Sequence, residues 1–157
     1  MIKKINLISL MVLMFDIVIK MIVTSTLKLN SSIIIIRDFF AFTYVRNTGA
    51  AFSILEGNRL LLIVVALIVI VMLYKYLSSL KTISSLETIY YGLLIGGIYG
   101  NLIDRIIHSY VIDYFDFTII GYNFPIFNLA DICIVVSIFL MMLDIVRGDS
   151  NERNKNS

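Results

Sequence analysis

The chain has 157 residues, 59% of them hydrophobic and 15% charged, with a formal net charge of +2. Soluble domains carry about 25% charged and 45–50% apolar residues, so this composition excludes an ordinary soluble globule and points to an integral membrane protein of one domain. The basic residues are scattered without a basic, aromatic-interleaved patch, which argues against a nucleic-acid partner, and a single histidine and a single cysteine leave no disulfide framework and no zinc site.

Four apolar segments, at about 5–24, 60–77, 86–107 and 129–146, each approach the ~20 residues a helix needs to cross a ~30 Å hydrocarbon core. The first has a rival reading, because Lys3 and Lys4 ahead of Leu7–Phe15 resemble the start of a signal peptide. Asp16 and Lys20, however, interrupt what would be the cleavage region and no A-x-A site follows, so a retained span is expected. Asp16 and Lys20 are spaced i, i+4 with the acid first, which lets them pair on one helix face as a structural ion pair lining a cavity.

The connector 27–59 is too long for a plain turn. Ile33–Ile36 and Phe39–Val45 are rich in β-branched and aromatic residues, and Asn47-Thr48-Gly49 reads as a turn, so a small sheet resting on the outer membrane surface is predicted. The third segment carries Gly92, Gly96 and Gly100, a spacing that lets helix backbones approach closely in lipid. Asn101, Asp104 and Arg105 follow, and Asp104 with Arg105 reads as a structural interfacial pair. Val111-Ile112-Asp113-Tyr114-Phe115-Asp116-Phe117 comes next, then a polar-aromatic connector holding Pro125, then Phe127-Asn128-Leu129-Ala130-Asp131 at the start of the fourth segment. Cys133, alone in an apolar run, reads as a buried inert thiol. Residues 148–157 are polar and predict a disordered tail behind a single domain at 1–147. The expected fold is an all-α membrane protein of four transmembrane helices, with a small extracytoplasmic β-sheet between the first and second.

Lysines and arginines set the expected topology. Lys3, Lys4, Lys75, Lys81, Arg147, Arg153 and Lys155 would share one side, and Lys28, Arg37, Arg46, Arg59 and Arg105 the other. The richer side holds both termini and is taken as cytoplasmic. The connectors 27–59 and 108–128 then face outward, and Asp16, Lys20, Asn47, Asn101, Asp104, Arg105, Asp113 and Asp131 all fall in one slab near the outer interface. Ionisable groups at that depth are costly, and one shared site explains their gathering.

The nucleophile routes are poorly supplied. His108 has only its neighbour Ser109 nearby, and Asp16 is placed to hold Lys20 as an ion pair. Carboxylates are well supplied. Two of them a few Å apart cannot both ionise cheaply, so one keeps a proton and polarises a carbonyl while the other takes a proton from the attacking water. Asp113 and Asp131 are the candidate pair. Blander readings stand beside this one. Asn128-x-x-Asp131 is also a helix start with its cap, Asp113 and Asp116 read as loop acids, and Asp144 as an interfacial group. Intramembrane acids and lysines also mark ion pathways, so a small proton-coupled transporter is the alternative function, and a glycine-faced assembly subunit a third.

These motifs resemble lipoprotein signal peptidase (signal peptidase II, prolipoprotein signal peptidase) over nearly the whole chain. The matching pieces are Asp16-x-x-x-Lys20, Asn47-Thr48-Gly49-Ala50-Ala51-Phe52, Gly96-Gly97-Ile98-Tyr99-Gly100-Asn101-Leu102-Ile103-Asp104-Arg105, Val111-Ile112-Asp113-Tyr114 and Phe127-Asn128-Leu129-Ala130-Asp131. The resemblance implies a multi-pass enzyme of bacterial plasma membranes, active near the outer leaflet, that cuts the signal peptide from a prolipoprotein just before a cysteine bearing diacylglyceryl. It maps the catalytic aspartates onto Asp113 and Asp131. It maps a supporting aspartate onto Asp104, and polar cavity positions onto Lys20, Asn47, Asn101, Arg105 and Asn128; Asp16 and Gly49 lie in the same motifs. It implies no metal or organic cofactor, lipid-modified prolipoproteins and membrane lipids as partners, and globomycin-type cyclic peptides as inhibitors. Ile112 and Tyr114 stand where Val and Phe are commoner in the family, and Ser137 where glycine is frequent. A monomer is expected, because the site can be built within one chain.

Overall fold

The computed structural model describes residues 2–49 and 55–155, with side chains described through residue 147. Ala50, Ala51 and Phe52 of the loop motif lie outside the described residues. The element order is α1 (Ile2–Thr26), β1 (Ser32–Ile36), β2 (Phe40–Asn47), α2 (Arg59–Ser79), α3 (Ser85–His108), β3 (Val111–Ile119), β4 (Tyr122–Asn123) and α4 (Leu129–Lys155).

Helix α3 is the centre of the bundle, with α1 and α4 packed along it and α2 resting mainly on it. Its glycines explain why. A Cβ at Gly92 would stand 2.6 Å from Ile8 Cβ, and one at Gly96 2.8 Å from the Ser9 carbonyl, both on α1. A Cβ at Gly97 would stand 2.5 Å from the Ala130 carbonyl on α4. Missing side chains thus let two backbones close onto α3, as small residues do between helices in lipid. Ser9 Oγ also donates to the Gly92 carbonyl at 3.1 Å, adding a hydrogen bond across the closest approach. The start of α3 is fixed by a capping box between Ser84 and Glu87, and its end by Ser109 in the left-handed region at φ 73°.

Gly97→Ala is expected to destabilise the protein by about 1–3 kcal/mol, because the methyl meets backbone that cannot swing aside. It should also displace the start of α4 and lower activity, both checked by thermal unfolding and cleavage of the same preparation. Wild-type stability and activity in this variant would contradict the packing argument.

Helices α1, α2 and α4 (as Leu129–Arg147) are long and apolar enough to cross a membrane by length and composition. Helix α3, at 24 residues, is long enough but carries Asn101, Asp104, Arg105, four glycines and three tyrosines. A helix surrounded by other helices needs less lipid-compatible surface than one facing lipid. Four helices are present where four transmembrane helices are expected, and among the described residues three of them meet the length and apolarity needed for a span. The backbone of 148–155 continues α4, where a disordered tail is expected from the polar sequence. Extending a formed helix costs far less than nucleating one, which lets a polar segment follow the helix.

The all-α description needs correcting. An antiparallel sheet of order β1-β2-β3-β4 draws two strands from each of two connectors, and does not lie wholly between the first and second helices. β2 pairs with β3 through Asn47↔Val111, Val45↔Asp113 and Phe40↔Phe117, so Asp113 sits on an inner strand and not in a loop. Val111–Ile119 is rich in β-branched and aromatic residues, and it supplies hydrogen-bonding partners for the edge of β2 that β1 leaves free. Val23 of α1 and Leu27 just beyond its end pack with Tyr44, Ile112 and Tyr114, which docks the Asn47–Val111 end of the sheet onto the helices.

Candidate active site

The site is built around the N-terminus of α4. A helix start leaves several backbone N–H groups without intrahelical partners, and buried ones must be satisfied by something else. Here Leu129 N–H donates to the Tyr114 hydroxyl at 3.0 Å, Ala130 N–H to Asp16 Oδ1 at 3.1 Å and Asp131 N–H to Asn128 Oδ1 at 3.0 Å. Asn128 N–H donates back to Asp131 Oδ2 at 3.1 Å, closing a reciprocal cap. Tyr114, fully buried in β3, is the participant that sequence reading passes over. Its signal is a hydroxyl on an otherwise aromatic strand position.

Asn128 does more than cap. Fully buried, it donates through Nδ2 to Asp113 Oδ1 at 2.6 Å and to Asn101 Oδ1 at 3.1 Å. Asn101 Nδ2 in turn donates to Asp131 Oδ1 at 2.7 Å. Two carboxylates from different elements are thus linked through two amides that bond each other, Asn128 holding Asp113 and Asn101 holding Asp131. Asp113, only 1% exposed, also accepts from Asn47 Nδ2 at 3.0 Å. Asn47 Oδ1 accepts from Gly49 N–H at 2.9 Å, which holds the turn after β2. Burial, and then the charge of Asp131, push the Asp113 carboxyl up to about 7, while its bonds to Asn47 and Asn128 pull the other way. Asp131 is half-buried, so this side of the pair is the more accessible.

Behind the pair lies a buried ion triad. Lys20 Nζ is 2.7 Å from Asp16 Oδ2 and 2.8 Å from Asp104 Oδ2. The i, i+4 pair expected on α1 is present. The expected Asp104–Arg105 pair is not: Asp104 faces Lys20, and Arg105 donates to the carbonyls of Gly49 at 2.7 Å and Asn101 at 3.3 Å. Neighbours on a helix point about 100° apart, so they cannot readily serve one partner. The triad reaches the pair through the main chain, since Asp16 holds Ala130 N–H and Asp104 Oδ2 holds Ile112 N–H at 3.0 Å. Each of these amides belongs to the residue just before one of the two acids.

Gly100 permits the assembly, because a Cβ there would stand 2.6 Å from Asp16 Oδ2 and 3.1 Å from Ala130 Cβ. Asp116 is engaged elsewhere, accepting from Thr43 Oγ1 at 2.6 Å within the sheet. Asp144 is also apart, accepting from Tyr90 at 3.3 Å. Asp16, Lys20, Asn47, Asn101, Asp104, Arg105, Asp113, Asn128 and Asp131 are therefore linked, through the Asn101–Asn128 contact, Lys20, the main chain at Ile112 and Ala130, or the Arg105–Gly49 contact, whereas Asp116 and Asp144 stand apart.

A family model described as signal peptidase (SPase) II matches residues 8–147. The chain belongs to the signal peptidase II family. It is 46% identical to a lipoprotein signal peptidase of Halothermothrix orenii over 134 residues, covering 85% of this chain and 89% of that protein. A lipoprotein signal peptidase of Clostridium tetani is 37% identical over 144 residues, covering 91% of this chain and 92% of that one. A solved structure described as a bacterial membrane enzyme superposes with a TM-score of 0.89 at 32% identity, covering 96% of this chain and 92% of the other. Membership in the signal peptidase II family makes the chain an aspartic-type peptidase of the membrane, acting on peptide bonds, and leaves the transporter reading without support. All the polar residues of the site fall inside the span matched to signal peptidase II.

Proposed function

We propose that this protein removes the signal peptide from diacylglyceryl-modified prolipoproteins, cutting just before the lipid-modified cysteine, with Asp113 and Asp131 as the catalytic dyad. The observation that carries the reading is the shared cradle of Asn128 and Asn101, which ties both carboxylates to one point at the start of α4. Relatives named lipoprotein signal peptidase at 37–46% identity supply the substrate class. All four helices cross the bacterial plasma membrane in this account, with both termini cytoplasmic and the site near the outer leaflet. The enzyme acts as a monomer, and globomycin-type peptides occupy the same site.

The environments divide the chemistry. Asp113, the more buried acid, keeps a proton near neutrality and hydrogen-bonds the scissile carbonyl oxygen. Asp131 accepts two N–H bonds at the positive end of α4 and serves as the base. It takes a proton from water as the water oxygen adds to the carbonyl carbon. Asp113 passes its proton to the carbonyl oxygen. When the tetrahedral carbon collapses, the C–N bond breaks, Asp131 delivers its proton to the leaving cysteine nitrogen, and Asp113 recovers the other. At ~4 Å and an effective dielectric of ~20, two ionised acids would repel by about 4 kcal/mol, which favours the singly protonated pair. The Asn47–Gly49 turn, held by Arg105, is positioned to clamp an extended peptide over the acids.

The pH profile follows in sign. The Asp113 carboxyl is raised, so its proton is present below about 7 and lost as pH rises through that value. Cleavage should fall on the alkaline side, approaching tenfold per pH unit, with an apparent midpoint near 7 that belongs to the pair. Asp116→Asn should show the same profile. Rates that stay flat well above neutrality would count against a protonated Asp113.

A further inference from the structure

We propose that the end of the sheet away from the dyad is inserted into the headgroup and upper acyl region of the outer leaflet, anchoring the sheet by its tip. The proposal rests on the outer-side placement of the sheet given above and adds which residues meet lipid. The β1–β2 turn and the β3–β4 turn share that end, since Ile36 pairs with Phe40, Phe40 with Phe117, and Thr118 N–H donates to the Phe39 carbonyl at 2.9 Å. There Ile36, Phe39, Ile119, Ile120, Tyr122 and Phe124 are all exposed, Ile120 completely at 101%. Ile120 also adopts φ 50°, a conformation that β-branched residues rarely take, beside Gly121 at φ 77°. A turn facing water has every reason to carry Asn or Gly at that position. An isoleucine there is both strained and, without an apolar cover, fully exposed to water.

Continuity identifies the cover as lipid. Helix α1 leaves its span at Thr26 and β1 begins at Ser32. Exposed Met21 and Ile22 on α1, Leu29 in the link and Ile33–Ile36 along β1 recur along this short path from the helix to the tip, with exposed polar residues such as Thr24, Lys28 and Asn30 between them. Tyr122 packs edge-on against Phe124 with ring centroids 5.1 Å apart, and such rings favour the membrane interface. Arg37 in the adjoining turn can meet phosphate. Ile120 is seven residues along from Asp113, roughly 23 Å at strand rise, so the tip can be altered without touching the acids.

The protein contains no tryptophan, so each single substitution creates one fluorophore. Ile120→Trp and Ile68→Trp, the latter midway along α2, would be reconstituted as full chains into phosphatidylcholine–phosphatidylglycerol vesicles with brominated acyl chains. The expected result is strong quenching by bromolipid at both positions, with Ile120→Trp shielded from aqueous iodide. Tyr122→Trp reads the same tip with a smaller change if the first variant folds poorly. Quenching at position 68 with an iodide-accessible, unquenched tip would overturn the insertion while leaving the spanning helices in place. A tip shielded from both quenchers would also overturn it, and would point to a second copy pairing along β1. Absence of quenching at position 68 would refute the membrane placement itself, and the insertion with it.

Discussion

Asp131→Asn and Asp113→Asn are each expected to fold and to lose cleavage by roughly 10²–10⁴-fold or more, while Asp116→Asn stays near wild type. Structure and chemistry separate at position 131. Asp131 Oδ2 accepts the Asn128 N–H of the helix cap, and an asparagine carbonyl oxygen can accept that same bond. The cap therefore survives the substitution, whereas the capacity to take a proton from water does not. Position 113 follows the same logic, because an amide oxygen can still accept from Asn128 or Asn47 but cannot deliver a proton. Asp116 bonds Thr43 in the sheet and touches neither acid's amide partners. Thermal unfolding beside the cleavage rate is the check. Folded variants at 113 or 131 that retain cleavage would reduce these acids to scaffolding, and loss of cleavage at 116 would move the pair.

Lys20→Met should be the most damaging change away from the dyad. It removes the cation between Asp16 and Asp104, both buried and both within 2.8 Å of Nζ. Breaking a buried ion pair from one side typically costs about 3–5 kcal/mol, because the partner charge is left uncompensated. Activity should fall too, since Asp16 and Asp104 hold the amides of Ala130 and Ile112 next to the two acids. The triple variant Asp16→Asn, Lys20→Met, Asp104→Asn removes all three charges and keeps amide oxygens able to accept those N–H bonds. It should recover much of the lost stability and part of the activity. Lys20→Met with wild-type stability would mean that the triad is not holding the site.

Much of this arrangement is written openly in the sequence, for physical reasons. Lipid tolerates few polar groups, so α1, α2 and α4 stand out as apolar runs, and the exceptions Asp16 and Lys20 reveal themselves by helical spacing. The glycines of α3 mark its two close contacts. Strand β3 is hidden because its partner β2 lies more than sixty residues earlier in the chain and two acids interrupt its apolar pattern. Asp104 is hidden differently. Its charge partner comes from another helix, while the adjacent Arg105, the obvious choice in sequence, turns to the Gly49 carbonyl. The Asn128–Asp131 motif offers a cap and a working acid as alternatives in sequence. In three dimensions one oxygen of Asp131 completes the cap and the other faces Asn101, so the cap does not preclude a second role.

The most direct measurement is the mass of the products when the purified wild-type chain, in lipid, meets a diacylglyceryl-modified prolipoprotein. The expected result is a single cut just before the modified cysteine, blocked by a globomycin-type peptide. Intact substrate under conditions where the protein is folded, or a cut at another bond, would contradict it.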